Sequence, residues 1–490
     1  MVPATGIRRI GALLAGLAAT VCTPRVAMPS DLSERIDALL ASRPRTATQV
    51  GVRVIALPAG TVLYSAGAAE PMIPASTIKL LTSLTAIDVL GAEFHYRTAL
   101  ARRGDDLVIV GEGDPATGDP ELAERDGRPI TALFHTWADR LKAAGVQTVS
   151  GDLIFDDSIF DTEYTHPTYR PDQTITWYGA PVGGLNFNDN CVDLTVWPST
   201  PGAAARFSFV PPSAGVRVIN RCVTGRGRPV GTRATGEDMT LVLSGKVSRR
   251  VTLGPVAIGD PGRLFATSCR TALAARGVRI DGQTRRHRLR DDRGALPADL
   301  TVVAVHKTPL ADCLSRCNKT SQAVFANCLF KTAGASWRHR TGKPFAPAGW
   351  DDGAAAVAEF LDKTGIDTDG LVVADGSGLS RRNRLSAMQL TELLRYSFTR
   401  ETHKLFFASL PVAGVDGSLR RRMSDARGRI FAKTGLISGV RTLAGYVRTT
   451  EGHWLAFAIL FNGEFGMNTR PLSILQDRIC ERLVAADVPQ

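Results

Sequence analysis

The stretch Ile73-Pro-Ala-Ser76-Thr-Ile-Lys79 runs directly into Leu80-Leu-Thr-Ser-Leu-Thr-Ala-Ile-Asp-Val-Leu90-Gly91. Pro74 marks a helix start. Ile78, Leu81, Leu84, Ile87 and Leu90 then recur at helical spacing, so a helix is expected up to Gly91 as its C′ residue. At i, i+3 on that helix Ser76 and Lys79 project on one face. Ser76 falls where free backbone N–H groups and the positive dipole end favour a developing oxyanion. A serine hydroxyl is a poor nucleophile unaided, and a desolvated lysine of lowered pKa can take its proton. The plainer alternative is an N-cap serine with a surface lysine one turn on. No other Ser-x-x-Lys occurs in the chain.

On the N-terminal side of this helix, Val50, Val52 and Val54 alternate before a Pro-Ala-Gly turn at 58–60, and Val62 and Tyr64 follow, which reads as a β-hairpin. From about 93 to 265 short β-like runs (Leu107–Val110, Gly151–Ile154, Val192–Val196, Met239–Leu243) are separated by Gly, Pro, Asp and Asn. Helical patterning returns at 309–335, 352–364 and 387–399. Strand-like runs follow at Ile430–Lys433, Thr442–Val447 and Trp454–Phe461, with a closing helix near 472–486. The expected fold class is α/β (α+β). Residues 30–92 and 266–490 form one domain with an antiparallel sheet flanked by helices, and 93–265 form an inserted β-rich region of one or two nested domains.

The 490 residues are 44% apolar and 22% charged, which is ordinary globular composition. Lacking an interior apolar run of about 18 residues, the chain is not a polytopic membrane protein. Arg8-Arg9 followed by the short apolar stretch Ile10–Val21 reads as a secretory signal over roughly residues 1–27, so export to the periplasm or cell envelope is expected. The net charge is +12, and removing 1–27 takes away three arginines and no acid, so the exported chain stays basic. Such a chain is drawn to anionic wall polymers or lipid headgroups. Its basic clusters, Arg285-Arg286-His287-Arg288 among them, lack interleaved aromatics, so no nucleic-acid partner is expected. Seven cysteines follow the signal. Outside the cytoplasm some of them should pair, and the odd number leaves at least one unpaired. Cys313 and Cys317 share a helix face, but no histidine stands near enough for zinc.

Other catalytic signatures are missing. No serine has glycine at both −2 and +2, no HExxH occurs, and there is no phosphate-binding Gly-rich loop with Lys. Neither a metal nor a cofactor is expected. Lys-Thr-Gly occurs twice. Lys363-Thr364-Gly365 ends a helical run, where Gly365 acts as a stop. Lys433-Thr434-Gly435 ends a strand-like run. Beside a nucleophilic serine such an edge strand can pair with an extended peptide while Lys and Thr hold its carboxylate. Between the two motifs, Asn318-Lys-Thr-Ser321-Gln-Ala-Val-Phe-Ala-Asn327 lies at a helix start from which Ser321 can reach outward.

Ser-x-x-Lys, a middle serine motif and a late Lys-Thr-Gly, in that order, resemble the penicillin-binding proteins and serine β-lactamases. Nearly the whole chain resembles the D-alanyl-D-alanine carboxypeptidase/endopeptidases of penicillin-binding protein 4 type (peptidase family S13). The supporting segments are Gly113-Asp-Pro115, Gly151-Asp-Leu-Ile-Phe-Asp-Asp157, Tyr178-Gly-Ala-Pro-Val182 with Asn188-Asp-Asn190, Asp375-Gly-Ser-Gly-Leu-Ser380, Gly417-Ser-Leu-Arg420 and Ala432-Lys-Thr-Gly435. The resemblance implies a β-lactamase/transpeptidase-like domain interrupted by inserted domains. It implies Ser76 as acylated nucleophile, Lys79 as its base and Ser321 as proton relay. Lys433, Thr434, Gly435 and Leu436 would line the substrate site, with the N–H groups of Ser76 and Leu436 as oxyanion hole. Its implied partners are peptidoglycan stem peptides, with β-lactams as covalent inhibitors.

Two residues depart from the pattern. The family's Ser-x-Asn reads Ser321-Gln-Ala323 here, and Leu436 stands where a small hydroxyl residue is usual. Losing one positioned contact of that kind costs on the order of 10–1000-fold in rate, so reduced activity is expected. The rival reading is a non-catalytic wall-binding or scaffolding protein of the same fold. A β-lactamase fits poorly with the large inserted middle.

Overall fold

The computed structural model describes residues 30–234 and 239–488; the signal-like segment 1–27, with Cys22, lies outside them. The two ends of the chain build one five-stranded antiparallel sheet. Its strands run in the order Ile430–Ile437, Val440–Arg448, Trp454–Asn462, Gln49–Leu57, Val62–Ala66. The central strand Trp454–Asn462 is apolar on both faces because helices cover both. Leu455, Phe457, Ile459 and Phe461 face helices Ser30–Ala41 and Arg470–Val484. Ala456, Ala458 and Leu460 face the opposite helical layer, where the small side chains allow close approach.

That second layer explains a departure from the sequence reading of the helix after Ser76. Its spacing suggested one apolar face, yet every residue from Lys79 to Ile87 is buried. Helices Leu310–Lys319, Ala323–Arg340, Trp350–Thr364 and Ala387–Phe398 surround it, so Thr82, Ser83 and Thr85 are enclosed as well. The α-helix spans Lys79–Leu90 and is preceded by a tight 3-10 turn over Ala75–Ile78; Gly91 follows with φ +85°.

The middle of the chain forms its own layers. A mixed sheet in the order Thr284–Arg286, Leu153–Asp156, Asp106–Gly111, His95–Arg103, Thr301–Pro309 carries helices Ala132–Ala143 and Pro261–Ala275 on one face. Between Leu153–Asp156 and Pro261–Ala275 the chain makes two three-stranded sheets that enclose Leu194, Val196, Cys222, Leu243 and Val247. Strands beyond residue 265 complete this sheet as far as Pro309, and helices pack on it as well. Strands Thr284–Arg286 and Thr301–Pro309 lie at the sheet's two edges; the first is short and polar, and the second carries a continuous apolar run, Val302-Val-Ala-Val305, in place of alternation.

The expectation of disulfides is not met. All seven described cysteines are unpaired and buried. Cys480, Cys269 and Cys222 lie in three separate cores, while Cys191, Cys313, Cys317 and Cys328 share a fourth, and each packs as a small apolar side chain. Cys313 and Cys317 belong to the core around the nucleophile helix, and among the described residues no group of His, Cys, Asp and Glu could hold a metal ion.

Candidate active site

Four residues singled out by sequence converge at one end of the sheet. Because Lys79 closes the 3-10 turn onto Ser76, its Nζ lies 3.0 Å from Ser76 Oγ. The same amine donates to the Ser377 carbonyl at 2.9 Å and stands 3.5 Å from Ser321 Oγ. From the opposite side Lys433 Nζ reaches Ser321 Oγ at 2.8 Å and the Thr434 carbonyl at 2.9 Å. Ser321 occupies the corner between two helices, with φ +63°, rather than a helical position, which is how its hydroxyl meets both amines. Lys363-Thr364-Gly365 takes no part. It ends a helix, with Lys363 paired to Glu359 on the surface.

The electrostatics follow from burial. Lys79 is 1% exposed, and loss of solvation lowers its pKa to about 8; Cys317 and Asp375 oppose the shift only in part. Lys433 is completely buried, and desolvation plus the neighbouring Lys79 amine push it well below the usual lysine value. Two ammonium groups sharing one hydroxyl repel each other, which disfavours both amines being charged at once. A neutral amine within hydrogen-bond reach of a serine hydroxyl can take its proton.

Glycine at 435 is a requirement of space. A Cβ there would lie 2.0 Å from Thr442 Oγ1, 2.9 Å from the Pro74 carbonyl and 3.1 Å from the Ser76 nitrogen. Thr442 in turn donates to the Pro74 carbonyl at 2.7 Å, tying the sheet to the nucleophile turn. Gly435→Ala should therefore push the strand away from Ser76. Penicillin acylation should slow by about 100-fold, with about 1–3 kcal/mol lost in thermal unfolding; an unchanged acylation rate would show that the strand's approach is unimportant.

Sequence reading marked Asp375–Ser380 and Gly417–Arg420 only as family segments, without a part in the site. Asp375 accepts hydrogen bonds from the Ser377 hydroxyl at 2.8 Å, the Gly378 N–H at 3.0 Å and Asn383 Nδ2 at 2.6 Å, and also from the Tyr169 hydroxyl. Asn327 Nδ2 donates to that same Tyr169 oxygen at 3.2 Å. This buried cage fixes the Ser377 carbonyl against Lys79. The available signal was Gly376 and Gly378 flanking Ser377: a Cβ on Gly378, at φ +83°, would meet the Ala75 carbonyl at 2.0 Å. Thr434 Oγ1 donates to Ser418 Oγ at 2.9 Å, so the Gly417–Arg420 segment borders the site too.

Ser76, Lys79, Ser321, Thr434 and Leu436 line a cleft of about 640 Å³. Ala323 lines it without any polar group, and the Leu436 side chain is 57% exposed there. Trp177, Tyr178 and Phe465 form apolar parts of the wall, and Arg170 and Arg381 stand over the Phe465 ring.

Helices on both faces of an antiparallel sheet, with a Ser–Lys pair at its edge, define a β-lactamase/transpeptidase-like fold of the penicillin-binding proteins. The chain belongs to the D-Ala-D-Ala carboxypeptidase 3 (S13) family, whose profile matches residues 32–479. It is 33% identical to a D-alanyl-D-alanine carboxypeptidase of Actinomadura sp. (strain R39), over 93% of this chain and 84% of that one. It is 25% identical to the D-alanyl-D-alanine carboxypeptidase DacB of Haemophilus influenzae, over 80% and 81%. The crystal structure of penicillin binding protein 4 from Haemophilus influenzae superimposes with a TM-score of 0.76 at 22% identity, covering 92% of this chain and 99% of that one. A second crystal structure of that protein holds a β-lactam, with a TM-score of 0.72 at 21% identity over 92% and 100%.

Proposed function

We propose that this carboxypeptidase is exported and removes the terminal D-Ala of peptidoglycan stem peptides, or cuts D-Ala-linked cross-bridges, through an acyl-enzyme on Ser76. The carrying observation is the Lys79 amine, with a pKa of about 8, lying 3.0 Å from the Ser76 hydroxyl. Lys79 takes the hydroxyl proton as Ser76 Oγ attacks the carbonyl of the penultimate D-Ala. The N–H groups of Ser76 and Leu436 hold the oxyanion. Ser321, between the two lysines, passes a proton to the nitrogen of the departing D-Ala. Water then attacks the ester, the stem peptide leaves and the Ser76 hydroxyl is restored. Lys433 and Thr434 receive the substrate's carboxylate, and the strand Ile430–Ile437, an edge of its sheet, offers backbone pairing to the peptide. β-Lactams would acylate the same serine. The basic charge supports peripheral attachment to anionic wall or membrane surfaces.

The test is to incubate purified protein with a D-Ala-D-Ala-terminated peptide and measure released D-Ala, with labelled penicillin in parallel. Release and stable labelling are expected. Failure of both, together with retained binding to purified sacculi, would favour the scaffold reading. That second reading is motivated by Ala323 and the basic charge, while Ala323 and Leu436 each leave the cleft without a polar group.

The same two residues imply a slow enzyme. Ala323→Asn restores an amide beside the nucleophile and should raise kcat/KM for the peptide by about 10-fold or more. A variant no faster than the wild type would remove the argument for impaired activity.

A further inference from the structure

Asn188, Asp189 and Asn190 are three consecutive non-glycine residues in the left-handed region, with φ of +52°, +54° and +56°. Such a run is costly and persists only where surrounding contacts enforce it. They do so here: Asn190 Nδ2 donates to the Pro181 carbonyl at 2.7 Å and to Asn186 Oδ1 at 2.8 Å, its Oδ1 accepts the Phe187 N–H at 3.0 Å, and Asn188 Nδ2 donates to the Cys191 carbonyl at 2.8 Å. The outcome of this distortion is the placing of one side chain. Asp189, from the inserted region, presents Oδ2 to Gln322 Nε2 at 2.8 Å, immediately after Ser321.

Gln322 uses its other end locally, its Oε1 accepting the Ala323 N–H at 2.9 Å, while its own N–H donates to the Arg316 carbonyl at 3.1 Å. The Arg316 guanidinium, nearly fully buried, bridges the same two regions. Its Nε donates to Asp119 Oδ2 at 2.9 Å, Nη2 stands 3.5 Å from Asp189 Oδ2, and Nη1 contacts Glu121 and Thr320. Ser321 is therefore flanked by two residues, Thr320 and Gln322, that are each tied into this network, and no covalent neighbour holds its left-handed backbone otherwise. None of these groups lies on the reacting atoms.

We infer that Asp189 of the inserted region is a positioning residue which, through Gln322, holds Ser321 for proton delivery to the leaving group. The inference rests on the relay role proposed above for Ser321. Protonation matters for an amide, whose nitrogen cannot leave as an anion, and little for a thioester, whose thiolate leaves unaided. The ratio of amide to thioester turnover therefore reports Ser321 placement, whereas a merely structural defect lowers both alike.

The experiment compares Asp189→Gly, Asp189→Asn and Gln322→Leu in the full chain on a D-Ala-D-Ala peptide and its thioester analogue. Glycine tolerates φ +54° without strain, so Asp189→Gly removes the carboxylate with no backbone penalty; it should stay folded, with a melting temperature lowered by the lost Gln322 and Arg316 contacts. Its kcat on the amide should fall about 10- to 30-fold with KM unchanged, and thioester turnover should stay within about threefold. Asparagine keeps the acceptor and the left-handed preference, and should restore amide turnover to within about threefold of wild type. Gln322→Leu breaks the link from the other side and should reproduce the changed ratio, which settles the matter if the glycine variant does not fold. A wild-type ratio in either folded variant overturns the inference, as does an equal fall on both substrates. A wild type that turns over neither substrate overturns the peptidase reading itself and this inference with it.

Discussion

Ser76→Ala should abolish covalent labelling by penicillin and lower D-Ala release on the order of 10⁴–10⁶-fold. Among the described residues the only other hydroxyl hydrogen-bonded to the Lys79 amine is that of Ser321, at 3.5 Å, and it is engaged by Lys433 at 2.8 Å. The substitution removes one hydrogen bond from Lys79, whose Ser377 carbonyl partner at 2.9 Å remains. The melting temperature should thus move by no more than about 2–4 °C, and weak reversible binding of the peptide should persist. Intact-mass measurement after penicillin treatment provides the check. An adduct on the alanine variant would place the nucleophile elsewhere.

Lys79→Met should cost about 10³–10⁴-fold in acylation, because methionine fills the buried space of the aliphatic stem and removes only the base. Its signature is a pH profile. In the proposed mechanism Lys79 works as the free amine, and burial lowers its pKa to about 8. The neutral fraction, and with it kcat/KM, should therefore rise about tenfold per pH unit below 8 and level off above it. The residual activity of Lys79→Met should lose the rise near pH 8. An acid limb persisting unchanged in the methionine variant would assign the base to another group.

The parts of this molecule that could be read from sequence are those written locally. Ser76 and Lys79 are one helical turn apart, so their meeting needs only that turn. The paired strands near the C-terminus announce themselves by apolar runs around a Thr449–Gly452 turn. Choosing Lys433-Thr434-Gly435 over Lys363-Thr364-Gly365 needed only strand against helix context, and the structure places the first at Ser321 and the second on the surface. What stayed hidden depends on partners far away in the chain. Ser377 acts through its backbone carbonyl, which has no residue code, and Asp375 gains meaning only when Tyr169 and Asn383 close around it. The edge strands Thr284–Arg286 and Thr301–Pro309 were not read because one has three residues and the other lacks apolar alternation. The cysteines were misread because composition and compartment say nothing about how far apart seven thiols end up.

The sheet of the peptidase domain joins the beginning of the chain to its end: Gln49–Leu57 pairs along its full length with Trp454–Asn462. A ribosome must release almost all of the polypeptide before that seam can close, and until then the Ser76 helix has no strand carrying Lys433 opposite it. Long-range closure of this kind is slow and leaves apolar edges open meanwhile. Catalytic competence thus arrives only with the finished chain, and the inserted layers, whose strands are nearer neighbours in sequence, have time to assemble first and serve as the surface on which the Ser321 corner is set.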